Sequence, residues 1–220
     1  MRGAIALLVL GAVQGAGASN AKALDDALAS SRSKQPNINL HRAANAKDGR
    51  VRYCKQALAD GAELDAQHPI SKQTALMGAV LAGNDRIVAY LLERGADAGV
   101  PEKDGYTPMH GAGFQGRAAV ARVLLAHGIS PAGTPHRDGF LPIHRACWGA
   151  EQRHADTVRA LLEAEGTDPA ATAAADGRSL LEICSQNAAA KKVVLEFLAA
   201  AAEEAAAASK KSEGAAGGEL

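Results

Sequence analysis

Aromatic residues are scarce in this chain: three tyrosines, three phenylalanines and one tryptophan make up 3% of 220 residues. So few large rings suit neither a sandwich nor a barrel, whereas frequent alanine suits small helices packed closely together. Net charge is missing too. Lys plus Arg and Asp plus Glu number 24 each, so nothing electrostatic favours nucleic acid or an acidic membrane as the main partner. The three cysteines, Cys54, Cys147 and Cys184, show neither paired spacing nor a CxxC. They form no zinc framework, and they cannot all pair within one chain. A nucleophile elbow GxSxG, a GxGxxG and a P-loop are absent as well. Neighbouring carboxylates such as Asp25-Asp26 and Glu203-Glu204 do not face one another on a helix and make poor acid–base couples. An enzyme is not expected, and neither a cofactor nor a metal site is implied.

Long hydrophobic runs are also rare. The one at Ala4–Val13 is too short to span a bilayer as a helix. It follows Arg2 and precedes Ala16-Gly17-Ala18, so residues 1–18 read as a secretory signal peptide with Ser19 as the mature N-terminus. The alternative is an N-terminal helix packed on the end of the domain. The first reading places the mature chain in the secretory pathway or outside the cell, without a stable membrane span; the second leaves it cytoplasmic. Residues 19–35 then form a leader containing LDDALAS.

What is present in quantity is a repeat. Residues 74–77 read TALM, 107–110 TPMH and 141–144 LPIH. Each is followed by a second apolar stretch: AYLLERGAD at 89–97, ARVLLAHGIS at 121–130 and VRALLEAEGTD at 158–168. Weaker copies flank them, NLHRAA at 39–44 with ALADGAELD at 57–65, and SLLEIC at 179–184 with VVLEFLAA at 193–200. The period lies near 33 residues. With its TPLHxA and LLxxGAD landmarks, this pattern resembles the ankyrin family over residues 36–200.

The resemblance implies an all-α ankyrin-repeat solenoid of about five helix-turn-helix units joined by short β-hairpin loops. Three units, spanning about 71 to 177, are well formed, and the first and last are irregular caps. The residues make physical sense of this. Thr107 can cap a helix whose first position is Pro108, a residue with no N–H to leave unsatisfied. Ala79, Ala112 and Ala146 let helices approach, and leucine pairs at 91–92, 124–125 and 161–162 fill the core. Gly95 and Gly128 end the second helices, and Asp104-Gly105, Asp138-Gly139 and Asp176-Gly177 turn the fingers. Lys72 replaces the first finger's glycine, which predicts a distorted loop. The fourth copy carries extra residues within 148–156, which places His154 on the surface. Past residue 200 the Ala-rich segment is expected to extend the last helix, and the Gly-rich end to be disordered.

The histidines divide in the same way. His41, His110 and His144 fall at the landmark position, where the family's imidazole hydrogen-bonds between neighbouring loops. His127, His136 and His154 have no carboxylate or second histidine at ligand spacing. Stacked helices lie about 8–10 Å apart, beyond the usual disulfide reach, so buried free thiols are expected, with a Cys147–Cys184 bond the exception that favourable geometry would allow.

In ankyrin proteins partners lie against the fingers and inner helices. That surface maps here onto Leu81, Phe114, Gln115 and Trp148 at the helix ends, and onto Lys103, Asp104, Arg137 and Asp138 at the fingertips. Tyr106, Phe140 and Arg178 follow the finger glycines. Aromatics and arginine are the commonest binding hot spots, and four of the scarce aromatics gather here. Either they form one patch for another protein, or Phe114 and Trp148 cover helix ends while Tyr106 and Phe140 brace adjacent fingers. The function implied is a non-catalytic scaffold or adaptor, or else a regulatory repeat module of an assembly whose catalysis lies in another chain.

Overall fold

In the computed structural model, residues 35–46, 49–131, 136–164 and 167–216 are described. The expected signal peptide and nearly all of the leader lie outside them. Among the described residues ten α-helices form five consecutive units. The first unit holds α1 (Pro36–Asn45) and α2 (Val51–Ala59), and the second α3 (Ala75–Ala82) and α4 (Asp85–Glu93). The third holds α5 (Pro108–Gln115) and α6 (Ala118–Ala126), and the fourth α7 (Pro142–Cys147) and α8 (Gln152–Leu162). The fifth holds α9 (Leu180–Ile183), a 3-10 turn (Cys184–Gln186) and α10 (Ala188–Ala216). α1, α3, α5 and α7 pack side by side as an inner layer, while α4, α6, α8 and α10 follow one another as an outer layer.

One unit cannot hide its own apolar faces, so the core runs continuously through the stack. Ala79, Ala112 and Ala146 are fully buried between inner helices, and Leu91, Leu124 and Leu161 are fully buried beneath the outer ones. The expected hairpins are tight turns without named strands among the described residues; the one β-bridge there joins Ala173 and Ser179. Three fingers close with the same backbone pair, Glu102 N–H to Tyr106 carbonyl, His136 to Phe140, and Ala174 to Arg178. The first finger is distorted as its sequence predicts. Its closing bond runs from His68 to Gln73, one residue wider, and Lys72 takes a left-handed φ of 55°. Without glycine, the extra residue supplies the reversal.

Local sequence choices explain the helix starts, with one correction. Thr74 caps α3 by accepting the Met77 N–H at 3.2 Å. Thr107 holds the equivalent N-cap position but does not cap the backbone. Its hydroxyl lies 2.8 Å from His110 Nδ1 instead. Met77 stands where the third unit has His110, and only the imidazole competes for the hydroxyl. α9 begins with Ser179 and Glu182 bonded reciprocally as a capping box. At the other end, α10 continues through Ala216, further than the disorder expected for the Gly-rich end.

Candidate protein-binding face

The fingers are laced to one another by imidazoles and backbone. His41 Nε2 donates to the Ala66 carbonyl at 2.9 Å, and His110 Nε2 donates to Phe140 O at 3.2 Å. His110 therefore carries its proton on Nε2 and accepts from Thr107 at Nδ1. Burial pushes its pKa down to about 4, against the pull of the Phe140 carbonyl. Burial also lowers His41 and His144. His144 differs in its bonding: Nδ1 accepts the Leu141 N–H at 3.0 Å. Its Nε2 faces the Thr172 carbonyl outside hydrogen-bonding geometry.

Two expectations about the other histidines are overturned. His154 is buried at 5% exposure, not on the surface. The longer connection occupies only 148–151, so His154 already lies on α8, donating from Nε2 to the Phe114 carbonyl at 3.3 Å. His136 does have a carboxylate beside it: Nδ1 lies 2.9 Å from Asp138 Oδ1, while Nε2 donates to the Asp104 carbonyl at 2.7 Å. Among the described residues no cluster of three or more His, Cys, Asp or Glu side chains is placed to hold a metal ion.

The aromatic residues converge on a side chain that the sequence did not single out. Arg145, in α7, is buried, and its guanidinium lies over Tyr106 at 4.9 Å, Phe140 at 5.3 Å and Trp148 at 4.3 Å. The same group bonds to the Asp138 carboxylate. A buried cation needs such a partner, because desolvation without compensation is costly. Burial opposes the charge on Asp138, but hydrogen bonds from Arg145 and from the Phe140 N–H hold its carboxyl well below the usual range. Ring contacts complete the platform: Tyr106 stacks on His136 at 4.1 Å, Phe140 meets Trp148 edge-on at 5.1 Å, and Arg178 lies 5.8 Å from Phe140.

The expected surface residues thus sort into four groups. Tyr106 and Phe140 are half-buried and brace neighbouring fingers. Phe114 and Trp148 stay open, at 57% and 44% exposure, on consecutive packed helices. Leu81 and Gln115 are half-buried at helix ends, while Lys103, Asp104, Arg137, Asp138 and Arg178 are exposed at the fingers. Phe114 takes part in none of the ring contacts around Arg145. Two of the three cysteines also depart from expectation. Cys147 and Cys184 form a disulfide with Cα atoms 4.5 Å apart, and Cys54 remains a buried free thiol. Burial pushes that thiol's pKa up to about 11.

Comparison with known proteins agrees with this architecture. A family model described as ankyrin repeats, three copies, matches residues 40–135, and a single ankyrin repeat matches 138–174. The chain belongs to the ankyrin-repeat family. Protein phosphatase 1 regulatory subunit 12A of Mus musculus is 33% identical over 85 residues, covering 38% of this chain and 8% of the relative. The protein of the same name from Rattus norvegicus is 32% identical over 75 residues, 34% of this chain and 7% of the relative. Protein PhlB of Serratia liquefaciens is 36% identical over 74 residues, 34% of this chain and 32% of the relative. The similarity thus spans less than a tenth of the phosphatase subunits and about a third of PhlB. Ankyrin repeats are protein-binding modules, and among the described residues no helix is long and apolar enough to cross a membrane.

Proposed function

We propose that this ankyrin-repeat protein is a non-catalytic scaffold that captures another protein on the inner face of its third and fourth repeats. The observation that carries the reading is the pair Phe114 and Trp148, two large apolar side chains left open at equivalent positions of adjacent helices. Trp148 rests on a platform already ordered by Arg145, so little further side-chain freedom is lost when a partner docks. Fingertip charges at Lys103, Asp104 and Arg137 form a polar rim around that apolar centre, the usual anatomy of a binding face.

The test is partner capture by proximity labelling and affinity purification with wild type, Phe114→Ala and Trp148→Ala. Truncation of a hot spot costs about 2 kcal/mol or more of binding, so the aromatic variants should lose their partner at least about tenfold. Equal capture by all three proteins, with unchanged melting, would sink the reading.

A regulatory role is the second reading. The mouse and rat relatives are named as regulatory subunits of a phosphatase, and co-purification with an enzyme at one-to-one stoichiometry would favour it. For the compartment, we propose the secretory pathway. The signal-peptide pattern of residues 1–18 supports it, and so does a disulfide, since such bonds persist chiefly in oxidising compartments. An intact Met1 in a cytosolic fraction would remove that proposal.

A further inference from the structure

The disulfide stands where the fourth repeat has lost the end of its inner helix. Leu81, Phe114 and Trp148 occupy the same place relative to the N-caps Thr74, Thr107 and Leu141. In α3 and α5 that residue lies inside the helix, which runs on to Ala82 or Gln115. Gly83 or Gly116 then closes it in the left-handed conformation, at φ of 81° and 64°. α7 stops at Cys147, so Trp148 is itself the C-cap, with φ of −77°, and Gly149 is not left-handed. The Trp148 N–H makes one bond, to the Arg145 carbonyl at 3.3 Å. Four side-chain links stand in for the missing turn. The Arg145 guanidinium and the Phe140 ring hold the indole, Asn187 Nδ2 donates to the Gly149 carbonyl, and Cys147, the last helical residue, is bonded to Cys184 at the start of the fifth unit's 3-10 turn.

We infer that the Cys147–Cys184 disulfide is the positioning element for Trp148, so that the aromatic face is assembled in the oxidised protein and released by reduction. Its functional meaning rests on Trp148 being a binding residue; the structural statement does not. Both cysteines are fully buried, yet the unit that covers Cys184 has only a four-residue helix before its 3-10 turn. Local opening of that short helix and its 3-10 turn costs less than unfolding the whole stack and admits a reductant. The reductant is a dithiol. One of its thiolates attacks a cystine sulfur, the protein S–S bond breaks, and its second thiol closes a disulfide within the reductant. Two electrons pass to the protein, and Cys147 and Cys184 each end as a protonated thiol. Cys54 takes no part, since it is buried in α2 at the other end of the stack.

Trp148 is the only tryptophan in the chain, so intrinsic fluorescence reports this residue alone. The experiment compares the full chain, oxidised with glutathione disulfide, with the same chain in dithiothreitol and with Cys184→Ser. It combines thiol titration in denaturant, acrylamide quenching and far-UV helicity. One titratable thiol is expected in the oxidised chain and three in the reduced one. Because Trp148 is 44% exposed when tethered, release should raise the quenching constant about twofold and red-shift the emission, with helicity nearly unchanged. Cys184→Ser should show the raised value with or without reductant; if that variant does not fold, wild type in the two redox states carries the comparison. Three free thiols after oxidation would overturn the inference. So would equal quenching in both redox states, or a collapse of helicity on reduction, which would make the bond a staple of the whole stack. The binding reading fails separately, through unchanged partner capture by oxidised Trp148→Ala.

Discussion

The second and third repeats differ from the fourth in how they solve the same packing problem. At the variable position of the TPLHxA landmark, the first two carry Gly78 and Gly111, and the fourth carries Arg145. The glycines let neighbouring side chains close over the helix: a Cβ on Gly78 would meet the Asn45 amide at 2.8 Å. Arg145 instead fills that space with a cation and recruits Asp138, Tyr106, Phe140 and Trp148 to compensate it. The regular repeats are held by burial and helix closure, the fourth by an ion pair, ring faces and a disulfide. A place where local geometry is given up for specific side-chain contacts is where function is expected in an otherwise regular solenoid.

The sharpest way to break that comparison is to make the same substitution in both kinds of repeat. Asp138→Ala leaves the Arg145 guanidinium buried with ring faces but no carboxylate, and should cost about 3 kcal/mol, the lower end for a broken buried pair because water reaches Asp138 and the rings remain. Asp104→Ala, one finger earlier, removes a carboxylate that makes none of the ion pairs among the described residues. It should cost less than about 0.5 kcal/mol. Denaturant melts of the two variants decide the matter, and equal costs would mean that Arg145 does not depend on Asp138. Adding Arg145→Met to Asp138→Ala should recover part of the loss, which a double-mutant cycle measures.

The regular half was legible from the sequence because its signals are local. A 33-residue period, Pro108 at a helix start and paired leucines each constrain their own neighbourhood, and the helices formed where those signals stand. The Arg145 site depends instead on residues from two fingers and a helix end meeting one side chain. Spacing along the chain does not show how far a guanidinium reaches, and a lone arginine in LPIHRA reads as surface. His154 was misplaced because the longer connection was taken to extend past residue 151, whereas the helix begins at Gln152. The disulfide was discounted on the axis spacing of parallel helices. Cys184 lies where α9 gives way to a 3-10 turn, and there the backbones come within reach. The Ser179 and Glu182 pair is by contrast a local signal, a capping box written within four residues of sequence.

The junction between the two kinds of repeat can be probed inside a single helix. Gly111 and Gly113 both lie in α5, but they face opposite neighbours. A Cβ on Gly111 would meet the Met77 sulfur at 3.1 Å and Leu81 Cδ2 at 3.2 Å, the far ends of flexible side chains in the second repeat. A Cβ on Gly113 would collide with the Pro142 backbone carbonyl of the fourth repeat. Gly113→Ala should therefore destabilise the fold by about 1–3 kcal/mol, as overpacking does. Gly111→Ala should be near neutral, because the helix gain from alanine, about 1 kcal/mol, offsets a small repacking cost. Similar melting temperatures for both would show that α7 can slide away from α5.

The gentlest perturbation is protonation, and it too should separate the regions. His110 has a folded pKa near 4, so between pH 6.5 and 4 the unfolded chain binds a proton that the folded chain refuses. Stability from this residue is complete above about 6.5, the unfolded value, and declines as the pH falls towards 4. His41 and His144 are shifted in the same direction and add to the same limb. Asp138, Asp176, Glu182 and Glu196 are lowered instead from carboxylate values, so their losses come at lower pH and do not overlap the upper part of this window. Melting temperature should therefore fall by a few degrees from pH 7 to pH 5. His110→Gln, which keeps a donor for the Phe140 carbonyl, should flatten that slope more than His144→Gln. His110 spans two fingers and is desolvated between them, whereas His144 bonds only within its own repeat. Equal slopes in wild type and both variants would place the acid sensitivity elsewhere in the stack.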